Sequence, residues 1–156
     1  QKTNEDFREL LLFRKNCRKK GINFYVANNT KLLSSLRADG LYISAYNKNL
    51  LLNIYTKKGY KVIGAAHNQK EIDIKIKQGC QIIIYSRLFK TNYSNKDGFL
   101  GVQRFNIISQ RSKTKLVPLG GINENNLNKL NSVIGEALAC LSAVKKKPAK
   151  FINRLF

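Results

Sequence analysis

The sequence has no methionine and no tryptophan, only two prolines, three cysteines and one histidine, and it carries nine acidic residues against 29 basic ones. Each shortage excludes something. Cys17, Cys80 and Cys140 are odd in number, far apart and never in paired CxxC spacing, which argues against a disulfide framework and against a structural zinc site. They read as ordinary reduced thiols, at least two of them in apolar surroundings. Apolar runs such as Leu10 to Phe13 and Ile82 to Tyr85 fall far short of the ~18 to 20 residues that a membrane-crossing helix needs. No charged-then-apolar leader opens the chain, so a cytoplasmic location without membrane contact is expected. Initiator methionine is normally removed only before a small residue, whereas residue 1 is Gln, so the sequence is expected to begin inside a longer translated chain.

What is present is a single domain's worth of chain, 156 residues with 43% hydrophobic composition, enough to bury a core. The formal charge of +20 and the pI near 10.1 invite a nucleic-acid reading. Lysine, however, comes with abundant Asn and Ile, the set an AT-rich coding sequence favours, and the lysines are spread over most of the expected helices. Only Lys145 to Lys147 form a run. No RNA-binding strand motif, finger or recognition helix is recognisable, so nucleic acid is not the expected partner. Attraction of anionic metabolites accounts for the sign equally well. The composition also leaves a homo-oligomer open.

A repeat organises the chain. Lys19-Lys20-Gly21-Ile22-Asn23-Phe24, Lys57-Lys58-Gly59-Tyr60-Lys61-Val62 and Lys77-Gln78-Gly79-Cys80-Gln81-Ile82 each read as a helix end followed by a strand. Cations in the last turn favour the helix dipole, glycine supplies a left-handed cap, and the apolar residues that follow suit a strand. The same reading places strands near Ile22 to Ala27, Gly40 to Ser44, Lys61 to Ala66, Gln81 to Ser86, Lys115 to Gly120 and Ala137 to Ala143. Thr3 with Asp6 is expected to cap the first helix, whose apolar face is Phe7, Leu10 and Leu11; Pro148 is expected to open the last one, with Phe151 and Leu155 facing inward. Ile72, Ile74 and Ile76 alternate as in a strand, yet Asn68 with Glu71 makes a capping pair and Gly79 a stop, so 69–78 is read as helix. Strands joined by such helices pair in parallel, in an open doubly covered sheet or an eight-stranded barrel. The first strand is not followed by Gly-x-Gly-x-x-Gly, which counts against a dinucleotide fold.

The segment with most chemistry is Val117-Pro118-Leu119-Gly120-Gly121-Ile122-Asn123, at the end of the fifth strand. Two glycines let backbone N–H groups approach a ligand closely, and the helix expected from Asn123 aims its positive end there. A tight turn is the plainer reading of Gly-Gly alone. The sixth strand also ends on small residues, Leu141-Ser142-Ala143-Val144, and barrels commonly hold a phosphate between the loops after their last two strands. An acidic residue at Gly121 would then block the pocket while leaving the fold largely intact.

ADGLYIS at 38–44, VIGAAHNQKE at 62–71, SRLFKT at 86–91, LGGIN at 119–123 and CLSAV at 140–144 occur in this order. Together they resemble the thiamine phosphate synthase and thiazole tautomerase family, from its third barrel strand onward. The resemblance implies an α/β fold, a parallel (β/α)8 TIM barrel N-terminally incomplete with six βα units visible. It is a single domain over 1–156, with the barrel running from about the second helix to the C-terminal helix. It implies a transferase of thiamine biosynthesis that joins hydroxymethylpyrimidine diphosphate to thiazole phosphate, using Mg²⁺ and phosphorylated small-molecule substrates.

By that resemblance Gly120, Gly121, Ser142 and Ala143 hold the thiazole phosphate, with Thr91 on the covering loop and Lys96 standing in for a loop lysine. The family's Asn-Asp-Arg appears as Ala27-Asn28-Asn29 and its second acid as Asn47, so both magnesium carboxylates are amides here. A neutral carbonyl oxygen can coordinate Mg²⁺ but brings no charge to a hard cation. A family serine is Ala65 or Ala66. His67 invites a general acid/base reading but matches a family histidine at a helix start, where a structural role is the plainer one. The tautomerase's catalytic histidine falls on Arg87, a candidate anion ligand, which makes tautomerase activity the lesser expectation. A degenerate enzyme, or a non-catalytic binder of thiazole phosphate on the same fold, is the alternative.

Overall fold

A computed structural model describes residues 2–91, 98–135 and 137–141, with backbone alone for 2–5. The elements in chain order are α1 (Lys2–Lys19), β1 (Tyr25–Ala27), α2 (Thr30–Ser35), β2 (Gly40–Ile43), a 3-10 turn (Leu50–Leu52) running into α3 (Asn53–Lys57), β3 (Lys61–Ala66), α4 (Gln69–Lys77), β4 (Ile82–Ser86), α5 (Gly101–Arg111), β5 (Lys115–Leu119) and a 3-10 segment (Glu124–Ser132).

The repeat seen in the sequence is a structural one. Gly21, Gly59 and Gly79 follow α1, α3 and α4 with φ of 66°, 84° and 77°, the left-handed region that a side chain disfavours. After each, the chain turns into a strand. The first cap takes more residues than expected: Ile22 N–H still donates to Cys17 O at 2.9 Å, so Ile22 belongs to the helix end and β1 begins only at Tyr25. The helix opening differs too. α1 starts at Lys2 and already contains Thr3, so Thr3 does not cap it, and Leu11 points outward at 41% exposure. The segment 69–77 is helical as read, with Asn68 Oδ1 accepting the Glu71 N–H at 3.0 Å.

All five strands pair in parallel in the consecutive order β1-β2-β3-β4-β5. A doubly wound sheet reverses its order at a switch point; a consecutive order is that of a barrel wall. The six strands expected become five plus one bridge. Leu119 pairs with Ala139, whose N–H donates to Pro118 O at 2.9 Å, and no longer ladder forms over 137–141. Eight strands, and hence a closed barrel, are not found among the described residues. The helix expected from Pro148 lies outside them.

Alternation within the strands builds the core. Val26, Leu41, Ile43, Val62, Ile83 and Leu116 are buried on one face against Leu33, Ile72 and Phe105 from the helices. Fully burying a side chain such as Phe105 stabilises the fold by about 1.5–3 kcal/mol. Tyr25, Tyr42, Ile63, Ile84 and Val117 occupy the opposite, half-buried face. Cys17 and Cys80 are buried and unpaired, and burial pushes the Cys80 thiol up to about 12.

Candidate functional site

Parallel strands deliver all their C-terminal ends to one rim, and the chemistry-bearing residues lie there. At the β1 end Asn28 adopts φ 54°, a conformation that Asn tolerates because its side chain can bond locally. Its amide oxygen and nitrogen both bond within the protein. Nδ2 donates to Ser44 Oγ at 2.9 Å, while Oδ1 accepts from Ser44 N–H at 3.1 Å and from Asn47 Nδ2 at 3.0 Å. Asn47 Oδ1 in turn accepts the Asn49 N–H at 3.0 Å. The two positions that should carry magnesium carboxylates therefore bond to each other, and both carbonyl oxygens are committed to N–H donors. Among the described residues no three His, Cys, Asp or Glu side chains gather into a cluster that could hold a metal ion. This donor set does not suit a hard divalent cation, which takes several oxygens and gains most from charged ones.

The loop that carries Asn47 is fixed from behind by α4. Lys75 is wholly buried, its Nζ donating to Asn47 O at 2.7 Å and to Gln78 Oε1 at 2.9 Å. Gln78 Nε2 donates to Asn47 O and Asn49 O, each at 3.0 Å. Burial lowers the Lys75 ammonium's pKa, an effect that Cys80 and Glu71 partly oppose. Neither residue was singled out in the sequence as more than part of a helix end.

On the other side of the rim, β4 and β5 bring Arg87, Thr91, Gly120 and Gly121 together. An Arg87 terminal nitrogen donates to Thr91 Oγ1 at 3.1 Å, and the Arg87 Cα, Cβ and Cγ atoms all lie 3.3 Å from where a Gly120 Cβ would stand. The 88–90 segment is stitched onto the glycine turn, Leu88 N–H donating to Leu119 O at 2.9 Å and Phe89 N–H to Gly120 O at 3.0 Å. Asn123 Nδ2 and Asn126 Nδ2 both donate to Gly121 O, at 3.0 and 2.7 Å, and Asn123 caps the 3-10 segment. The need for glycine at 121 is internal. A Cβ there would come within 2.5 Å of the Phe89 and Lys90 carbonyl oxygens, so an acidic side chain at this position would disturb the fold as well as the pocket, contrary to expectation. Lys96, Ser142 and Ala143 lie outside the described residues.

Between the two halves stands His67, just past β3. Its backbone N–H donates to Glu71 Oε2 at 2.7 Å, the helix-start role expected of it. Its ring Nδ1 also lies 2.7 Å from Ser86 Oγ, a contact across 19 residues that sequence reading missed. Ala65 and Ala66 are buried and bring no hydroxyl to the rim.

A family model described as thiamine monophosphate synthase matches residues 1–144. The thiamine-phosphate synthase of Prochlorococcus marinus is 25% identical over 129 residues, covering 82% of this chain and 37% of its own length. That of Clostridium perfringens strain 13 is 27% identical over 162 residues, covering 99% and 78%. The chain thus spans well under half of the first relative and over three quarters of the second. Among solved structures, the thiamine phosphate pyrophosphorylase from Pyrococcus furiosus superposes with a TM-score of 0.72 at 18% identity, over 99% of this chain and 79% of that one. The 3-keto-L-gulonate-6-phosphate decarboxylase from Vibrio cholerae does so at 0.59 and 10%, over 96% and 80%. At such identities the likeness is one of fold.

Proposed function

This chain belongs to the thiamine monophosphate synthase family, and from that premise we propose that it is a thiamine phosphate synthase-type protein whose phosphate half is built and whose metal half is closed. The substrates of the reading are thiazole phosphate and hydroxymethylpyrimidine diphosphate. Arg87 supplies a fixed cation beside the Gly120-Gly121 turn, and Thr91 orients its guanidinium, an arrangement that suits a phosphoryl group. Departure of diphosphate develops negative charge that must be neutralised, and enzymes commonly make their largest electrostatic contribution at that point. Asn28 and Asn47 bring none. The observation that carries the reading is the 3.0 Å bond from Asn47 Nδ2 to Asn28 Oδ1, which ties the two amides to each other.

The expected outcome is binding of thiazole phosphate with slow turnover that responds little to Mg²⁺. The double variant Asn28→Asp, Asn47→Asp juxtaposes two carboxylates that repel until a cation joins them. Its melting temperature should rise with added Mg²⁺ where that of the native chain does not. Turnover should increase by about 10²–10³-fold, the scale of one lost charge-stabilising group. Native protein that already runs at ordinary Mg²⁺-dependent rates, unimproved by the double replacement, would refute this reading of the amides. The same two amides favour a second reading, a non-catalytic thiazole-phosphate binder; binding without turnover at any Mg²⁺ concentration selects it.

A further inference from the structure

We propose that Ser86 and His67 form an additional anion-recognising pair, in which Ser86 Oγ is a ligand for a phosphoryl oxygen and His67 is the positioning residue that directs its proton. The inference rests on the phosphate-site reading above and adds residues to it. Ser86 closes β4 on the half-buried face shared with Ile82 and Ile84, opposite the buried Ile83 and Tyr85. It stands in register with Leu119, one residue before Gly120, and immediately before Arg87 in the chain. Its hydroxyl therefore sits between the imidazole and the glycine turn.

The Oγ to Nδ1 distance of 2.7 Å is that of a short hydrogen bond. A hydroxyl has one proton and two acceptor lone pairs, so the direction of this bond decides what Ser86 presents to the rim. When Nδ1 is bare it accepts the hydrogen bond that the Ser86 O–H donates, and Oγ offers only lone pairs to the rim, which repel an anion. When Nδ1 carries a proton, in the other neutral tautomer or in the imidazolium, it donates to Oγ and the hydroxyl proton is free to point at a phosphoryl oxygen. Anion binding and a proton on Nδ1 are then linked. Glu71 does not turn the pair into a nucleophilic triad, because its Oε2 is taken by the His67 N–H and its Oε1 by Asn68 Nδ2 at 2.8 Å.

His67 is the sole histidine of these 156 residues, so a ¹⁵N spectrum of this stretch of chain reports one imidazole. Inorganic phosphate and pyrophosphate would be titrated at one fixed pH. The Nδ1 resonance should move toward its protonated position as the anion binds. Ser86→Ala should abolish that movement and weaken phosphate binding about 10–100-fold, the scale of a hydrogen bond to a charged group. His67→Asn, whose Nδ2–H can replace Nδ1–H, should keep the affinity within about twofold, whereas His67→Leu should lose as much as Ser86→Ala. If phosphate shifts the amides of Gly120, Gly121 and Thr91 while the ring stays still and Ser86→Ala binds equally well, the pair is overturned and the phosphate site stands. No response to phosphate at either place overturns both.

Discussion

Gly121 was legible as a special residue but not for the right reason. Its φ of +70° is strained for any side chain, and the carbonyls that would meet a Cβ at 2.5 Å are backbone atoms of the 88–90 segment, which cannot rotate away. Gly121→Ala should therefore destabilise the chain by about 2 kcal/mol or more, combining left-handed strain with overpacking. Urea denaturation would measure it; a loss under about 0.5 kcal/mol, the range of an indifferent surface change, would contradict the geometry. Asn28 and Asn47 illustrate the converse. Sequence showed that two acids were amides, but not that the amides satisfy each other. That bond depends on the left-handed turn at Asn28, for which Ala27-Asn28-Asn29 carries no sign. Arg87 was legible at a strand end, whereas its bond to Thr91 and its fit against Gly120 are facts of packing. Ser86 escaped notice because its partner lies 19 residues away.

At the scale of elements the order of strands and helices was almost wholly readable, because three helix-to-strand passages announce themselves locally with cations, a glycine and an apolar run. The limits are where tertiary contacts intervene. Lys75 stands in the last turn of α4, where a cation is usually solvated, yet it is buried with its stem across β3. Gly64 makes room for it: a Cβ on Gly64 would meet Lys75 Cδ and Cys80 Sγ at 2.8 Å and Lys75 Cγ at 2.9 Å. We expect Gly64→Ala to cost about 1–3 kcal/mol through overpacking. In a Lys75→Ala background most of that cost should vanish, since two of the three obstructing atoms are gone, giving a coupling energy of about 1 kcal/mol or more. Additive losses in the double-mutant cycle would mean that the strand and the helix do not meet through this stem. Lys75→Ala alone has a further consequence, because it removes one of the two donors to Asn47 O and loosens the loop that carries the amide lock.

For the molecule as a whole, composition fixes the electrostatics and little about closure. Parallel pairing follows from the repeat, but the consecutive order and the number of strands do not, since no strand records how many neighbours lie beyond its partners. Charge is different. A formal +20 on a 17.8 kDa chain means that folding concentrates like charges, and that an anion bound to the native state is held by both contact and field. Sodium chloride should raise the melting temperature by screening this repulsion. Phosphate at millimolar concentration should raise it further at matched ionic strength, because a ligand of the native state alone stabilises in proportion to its occupancy. At about 100 times its dissociation constant the gain is about 2.7 kcal/mol, or roughly 5–10 °C for a domain of this size. Arg87→Ala should retain the chloride response and lose most of the additional phosphate response, since screening acts on the whole surface and the specific gain on one guanidinium. Superimposable melts in chloride and phosphate would show that the basic character of this chain serves no phosphate site, and that the Arg87–Gly120–Gly121 constellation has kept its shape without its ligand.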